Sequence, residues 1–284
     1  MLHSMMEDQA AGLRRMLGKP ATKNFIVLSA IPGTHKNSLL FNLASAVIHA
    51  GNSSHLIDAR MDQSGISARL KTQLKSNLWD LSLTNQPRHL GFYEFMQGGR
   101  ISQLASVPTS QIVQQASKLE LLSQTLQNLS TESNIWFIDA ELKMDNPFLI
   151  PEFSDSEVIL IVSSTAASIK NGYGQLKNIA NTVGRKRVAL LVNHTEDSQA
   201  QLVYKNIATA AKNYLSIPLS YLGHIPEDDY LIKSSMLGKS IIDAFPLSKS
   251  SQAFRSITEV LIDQKLHQHF VAKPINSQPI VLEH

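Results

Sequence analysis

The residues with the clearest chemical content stand together early in the chain, where it reads Ser29-Ala30-Ile31-Pro32-Gly33-Thr34-His35-Lys36-Asn37-Ser38. A turn containing glycine, ending in lysine and running into an apolar helical stretch has the outline of the phosphate-binding pattern G-x-x-x-x-G-K-[ST]. In a working loop of that kind the glycines let backbone N–H groups wrap the phosphates. The lysine neutralises the β/γ charge, and the next hydroxyl holds Mg²⁺. Lys36 keeps the lysine position, at a helix start whose dipole favours an anion. Taken alone, it reads equally as a solvated cap residue.

The rest of the pattern is altered. Ala30 and His35 occupy the two glycine positions, and Pro32 removes one N–H donor. Asn37 stands where the metal-binding hydroxyl belongs. Ser38 comes one residue late, and one helical step turns a side chain away by about 100°. Only Gly33, Lys36 and the turn-to-helix context persist, as relics of a nucleotide site.

Such a loop works only at the end of a buried strand. Apolar, β-branched runs at 25–30, 55–58, 135–139, 157–163 and 188–193 predict strands covered on both faces, with a weaker sixth at 219–225. Between them lie helical stripes: Leu39, Leu40, Leu43, Ala44 and Val47 in one, Leu119, Leu122, Leu126 and Leu129 in another. Strand alternating with helix predicts an α/β fold with a doubly wound, mostly parallel sheet and helices on both faces. Residues 21–270 are assigned to this domain. Ahead of it, Met6, Ala10, Leu13 and Leu17 make an amphipathic helix over 5–17 within an N-terminal segment 1–20, ended by Gly18-Lys19-Pro20. Residues 271–284 form a poorly ordered tail, and Leu282-Glu283-His284 resembles a tag scar.

Composition excludes several functions. There is no cysteine among 284 residues, so disulfides and thiolate metal sites are absent and a reducing, cytoplasmic setting is expected. No apolar run is long enough to span a bilayer, and the N-terminus lacks a secretory pattern. The net charge of +3 comes from scattered basic residues, and the short Arg185-Lys186-Arg187 run reads as a solvated turn. No specific nucleic-acid partner is expected. His267 and His269 would point to different faces of a helix, and no metal site is assigned. The final helix, expected over 254–270, places Ile257, Val260, Leu261 and Leu266 on one side. It lacks the dense Lys/Arg face of a membrane anchor, so core packing is expected.

At this point the chain resembles the MinD/ParA-type ATPases, and within them the flagellar-number regulators of the FlhG (FleN) type. The resemblance runs roughly from Asp8 to Leu261. Asp8-Gln9-Ala10-Ala11-Gly12-Leu13-Arg14 matches a D-Q-A-x-x-L-R motif ahead of the first strand. Val192-Asn193-His194 resembles V-N-R, whose Asn reads adenine. Residues 221–228, Tyr-Leu-Gly-His-Ile-Pro-Glu-Asp, resemble Y-L-G-x-I-P-x-D, and Pro246-Leu247-Ser248 resembles P-x-S.

The departures fall on the chemistry. Ile31 replaces the lysine that in the family reaches across an ATP-bound dimer. Of the D-x-D that ends the second strand, Asp58 remains and Arg60 stands in the second place; Asp139 fits the carboxylate ending a later strand. Asp58, Asp139 and Asn193 read either as relics of the site or as strand-end residues that cap their own turns.

The resemblance therefore implies a pseudo-ATPase regulator. No catalytic residues and no cofactor are expected, with ATP and Mg²⁺ held weakly if at all. Asp8, Gln9, Ala10, Leu13 and Arg14 are implied to dock onto a signal-recognition-type flagellar GTPase and stimulate it. Alternative partners are a flagellar transcription activator or a basal-body component, with the chain a monomer recruited to the cell pole. Two other readings stay open: a MinD-like switch that hydrolyses ATP and dimerises with it, and a ParA-like DNA-binding partition protein.

Overall fold

The computed structural model describes residues 22–70, 74–84, 87–143 and 145–263. The helix expected over 5–17 and the tail lie outside them, as does the last part of the expected 254–270 helix. The order of elements is β1 (Lys23–Ser29), α1 (Gly33–His49), β2 (Ser54–Asp58), a 3-10 turn (Ile66–Arg69), α2 (Leu78–Ser82), β3 (Tyr93–Met96) and β4 (Gly99–Gln103). Then come α3 (Thr109–Ile112), α4 (Ala116–Ser130), β5 (Ile135–Asp139), β6 (Glu157–Ser163), α5 (Ala166–Thr182) and β7 (Val188–Asn193). The last are α6 (Asp197–Leu215), β8 (Leu219–Ile225), α7 (Asp229–Met236), α8 (Ile241–Ala244) and α9 (Lys249–Ile262).

The strands form one sheet in the order β3-β4-β2-β5-β1-β6-β7-β8, parallel throughout except for β3. This is the doubly wound α/β architecture that the alternating pattern predicts. All six expected strands are present, the first shifted to end at Ser29. The hairpin β3–β4 was not foreseen: its strands are short and half polar. Its tight turn uses Gly98 at φ 81°, a region that glycine enters without penalty.

Successive side chains of each buried strand leave on opposite faces. Ile26, Leu28, Ile138 and Leu160 pack under α4, α5 and α6, through Leu126, Leu176 and Ile207. Phe25, Val27, Phe137 and Ile161 pack under α1 and α9, through Leu40, Leu43, Phe254 and Leu261. The apolar side of α9 is thus core, as expected from its sequence: Ile257 and Leu261 are buried. Among the described residues no helix is long and apolar enough to cross a membrane.

Connections leave β1 toward β2 on one side and β6 toward β7 on the other. A crevice opens between the carboxyl ends of β1 and β6, the switch point where such sheets place ligands.

One buried polar group reports on the core. His55 of β2 lies edge-on to the Trp136 ring at 5.7 Å, and its Nε2 is 2.8 Å from Ser102 Oγ. Burial, with the charge of Arg100 adding to it, pushes the imidazole down to about 3. The folded value lies below the ordinary 6.5, so acid protonates the unfolded chain first. The neutral ring's contribution is complete above pH 6.5 and is lost as pH falls toward the folded value, with a slope of at most about 1.4 kcal/mol per pH unit. His55→Gln, which keeps a polar group near Ser102, is expected to flatten the fall in urea-unfolding stability between pH 6.5 and 4.5. An unchanged slope would place the acid sensitivity elsewhere.

Candidate functional site

α1 starts directly after the turn that follows β1. Its Ncap is Pro32, with no side-chain cap bond. Lys36 sits in the first turn and points inward, 1 % exposed. Its Nζ pairs with the Asp139 carboxylate at the end of β5 and donates to the Ser64 carbonyl at 3.2 Å. The register explains the meeting. Asp139 lies opposite Val27 of β1 and opposite Asp58 of β2, so the two carboxylates are neighbours at adjoining strand ends.

Both carboxylates take donors from one segment, residues 60–69, although Asp139 Oδ1 is buried without a partner. Asp58 accepts from the backbone N–H of Arg60 (3.1 Å) and of Ser67 (2.9 Å), and from the Ser67 hydroxyl. Asp139 accepts from Ile66 N–H at 2.8 Å as well as from Lys36. Burial pushes the Asp139 carboxyl up to about 6; the Lys36 ammonium pulls the other way and Asp58 adds to the rise. Burial likewise lowers Lys36, against the attraction of Asp139. Asp139 has the opposite linkage sign to His55. Its folded value lies above the ordinary one, so its contribution is present in acid and lost as pH rises through about 6.

The Asn37 amide is bonded to the protein's own chain. Nδ2 donates to Gly65 O at 2.8 Å and to Ser64 O at 3.2 Å, while Oδ1 is buried without a partner. Gly33 lies under Ser64: a Cβ there would stand 3.1 Å from Ser64 Cβ. The side chains that would hold Mg²⁺ and phosphate are thus bonded to the protein's own chain. As arranged, this donor set does not fit Mg·ATP.

Gly33, Lys36, Asn37, Asp58 and Asp139 therefore come together, while Asn193 stands apart. It ends β7, is 7 % exposed, and lines two clefts. One is the crevice between β1 and β6, about 1040 Å³, which also exposes His35, Ser164 and Lys170. The other, about 1220 Å³, runs toward α7 and the start of α9 past Ser38, Tyr230 and Leu247. Lys36, Asp58 and Asp139 line neither. Asp58 does cap its own turn, as one reading of the sequence had it. Asp8, Gln9, Ala10, Leu13 and Arg14 lie outside the described residues. Among the described residues no group of three or more His, Asp or Glu is placed to hold a metal.

Sequence reasoning missed Ser64, Gly65 and Ser67, whose backbone and hydroxyl complete the cluster. The signal was there in Asp62-Gln63-Ser64-Gly65, which has turn composition.

Removing one member of a buried ion pair strands the other charge, at a cost on the order of 3–5 kcal/mol. Lys36→Met is expected to lower unfolding stability by that order, and adding Asp139→Leu to recover most of the loss. A double variant as unstable as the single one would contradict the pairing.

No model of a known protein family matches the chain. Among curated proteins it is similar to the antiactivator FleN of Pseudomonas aeruginosa, at 24 % identity over 229 residues, covering 80 % of this chain and 81 % of that one. Among solved structures it is similar to the MinC:MinD cell division complex of Aquifex aeolicus (TM-score 0.62, 16 % identity, 85 % of this chain and 96 % of that one). MinD of Pyrococcus horikoshii with Mg-ADP gives a TM-score of 0.58 at 20 % identity, covering 89 % of this chain and 99 % of that one. The chain thus has the doubly wound fold of the MinD and ParA structures, and along most of its length it is similar in sequence to FleN.

Proposed function

We propose that this protein is a non-catalytic regulator of flagellar number or placement that works by binding other proteins. The observation that carries the reading is the state of Lys36, buried and bonded to Asp139 and Ser64 instead of facing an open site. Phosphoryl transfer is almost entirely positioning and charge stabilisation. With Lys36 engaged inside the protein, Asn37 in the metal position and Arg60 in place of an acid, little of that machinery is left to act. The likeness to a protein named an antiactivator supports a regulator whose partner is a flagellar transcription activator.

The finer reading concerns the N-terminal motif. Asp8, Gln9, Ala10, Leu13 and Arg14 dock onto a signal-recognition-type flagellar GTPase and stimulate its hydrolysis of GTP. Partners then bring the chain to the cell pole, and it acts as a monomer. On this reading the α/β domain presents the helix and needs no nucleotide to do so.

The test pairs two assays on purified protein. Full-length chain is expected to raise the GTPase rate, deletion of residues 1–18 to abolish the effect, and the stability-compensated pair Lys36→Met with Asp139→Leu to leave it intact. Mg·ATP is expected to be turned over no faster than in buffer. Stimulation that survives the deletion would overturn the role of the helix. Steady ATP turnover lost in the pair Lys36→Met with Asp139→Leu, with wild-type dimers formed only in ATP, would instead establish the switch reading.

A further inference from the structure

Arg60 stands where the carboxyl ends of β2 and β5 approach each other. Its guanidinium is largely buried, with the side chain 12 % exposed. It grips Asp62 bidentately, Nε to Oδ1 at 2.8 Å and Nη2 to Oδ2 at 2.7 Å, and Nη2 also reaches Glu141 Oε2 at 2.6 Å. Such forked pairs fix geometry as well as charge. Asp62 in turn accepts from Ser64 N–H at 3.1 Å and from the Ser64 hydroxyl at 3.0 Å. Ser64 O then meets Lys36 and Asn37. An unbroken run of polar contacts leads from Arg60 to the lysine of the phosphate-binding loop.

The segment this run holds behaves as an internal ligand. Carbonyls of Ser64 and Gly65 take the side-chain donors at the start of α1, and N–H groups of Ile66 and Ser67 serve the two carboxylates. The fit depends on glycine at 65, where a Cβ would fall on the Asp58 carboxylate. It depends equally on glycine at 33, against which Ser64 lies. An occupant tethered by a few residues competes at an effective concentration on the order of millimolar.

We propose that Arg60 is a positioning residue that latches residues 62–67 over the phosphate-binding loop, so that the loop is closed by the protein's own backbone and not merely depleted of its motif. The inference deepens the non-catalytic reading and rests on it for its meaning, but its test does not run through the GTPase. It has a specific consequence: mending the motif alone does not reopen the site.

Two measurements on the full chain decide it. The first is amide hydrogen exchange without any ligand. In Arg60→Asp the amides of Ile66 and Ser67 are expected to exchange at least tenfold faster than in wild type, with Arg60→Lys intermediate because ammonium lacks the fork. Amides in β6 and β7 serve as the internal control for folding. Unchanged exchange at Ile66 and Ser67 would overturn the latch. The second is titration with a fluorescent ATP analogue and Mg²⁺. The triple variant Ala30→Gly, His35→Gly and Asn37→Thr is expected to bind no tighter than wild type, and the same triple with Arg60→Asp or with Gly65→Val at least tenfold tighter. If the mended motif alone binds as tightly as the combined variants, the segment is no barrier and the proposal fails. Loss of GTPase stimulation in any of these variants would bear on the regulator reading and leave the exchange result standing.

Discussion

A lysine ammonium sealed from water needs a counter-charge, and the surroundings of Lys36 are organised by that need. The parallel register of β2, β5 and β1 sets the carboxylates of Asp58 and Asp139 side by side at the sheet's upper edge. Two adjacent buried acids repel, and each demands donors. Lys36 supplies one charge from the first turn of α1. Residues 60–69 supply further donors, the N–H groups of Arg60, Ile66 and Ser67 and the Ser67 hydroxyl, and lie over the helix start, with Asp139 Oδ1 left without a partner. The conformation of the segment after β2 follows from the electrostatics beneath it more than from its own propensities.

The consequence for function is a division between sealed and open parts of one edge. The residues that resemble a phosphate-binding pattern are inside, bonded to one another and to residues 64–67. The surfaces that solvent reaches are the two clefts flanking Asn193, with His35 and His194 between them, and the exposed apolar side chains Tyr230, Ile232, Met236 and Leu247. The open part of this edge thus carries exposed apolar side chains beside polar clefts, while the sealed part carries the charges.

The layout of the sheet was legible because five of its strands are largely apolar runs and α1, α4 and α9 showed a clear apolar side; α5 and α6, which also cover it, were not named from the sequence. The hairpin β3–β4 was not legible: four or five residues with Glu94, Arg100 and Gln103 among them give no period to read. The lost motif positions could be named from sequence, as could the five loop and strand-end residues that converge. What spacing could not tell was the direction in which Lys36 points. A lysine at a helix start reads as solvent-facing until the neighbouring carboxylate and the covering carbonyl are placed, and both come from segments distant in sequence. Arg60 was visible as a departure, but its bidentate hold on Asp62 depends on a turn whose shape is set by Gly65 and Ser67.

The hairpin bears on how copies of this molecule can meet. Among the described residues β3 is the outermost strand on its side, and its pairing with β4 slips between Glu94 and Met96. A bulge at that place twists the outer backbone, and its free N–H and C=O groups no longer match the spacing of an incoming strand. The charged, exposed Glu94 adds a second deterrent. The sheet is thereby terminated on this flank, and fibre-like growth from one molecule to the next is discouraged there.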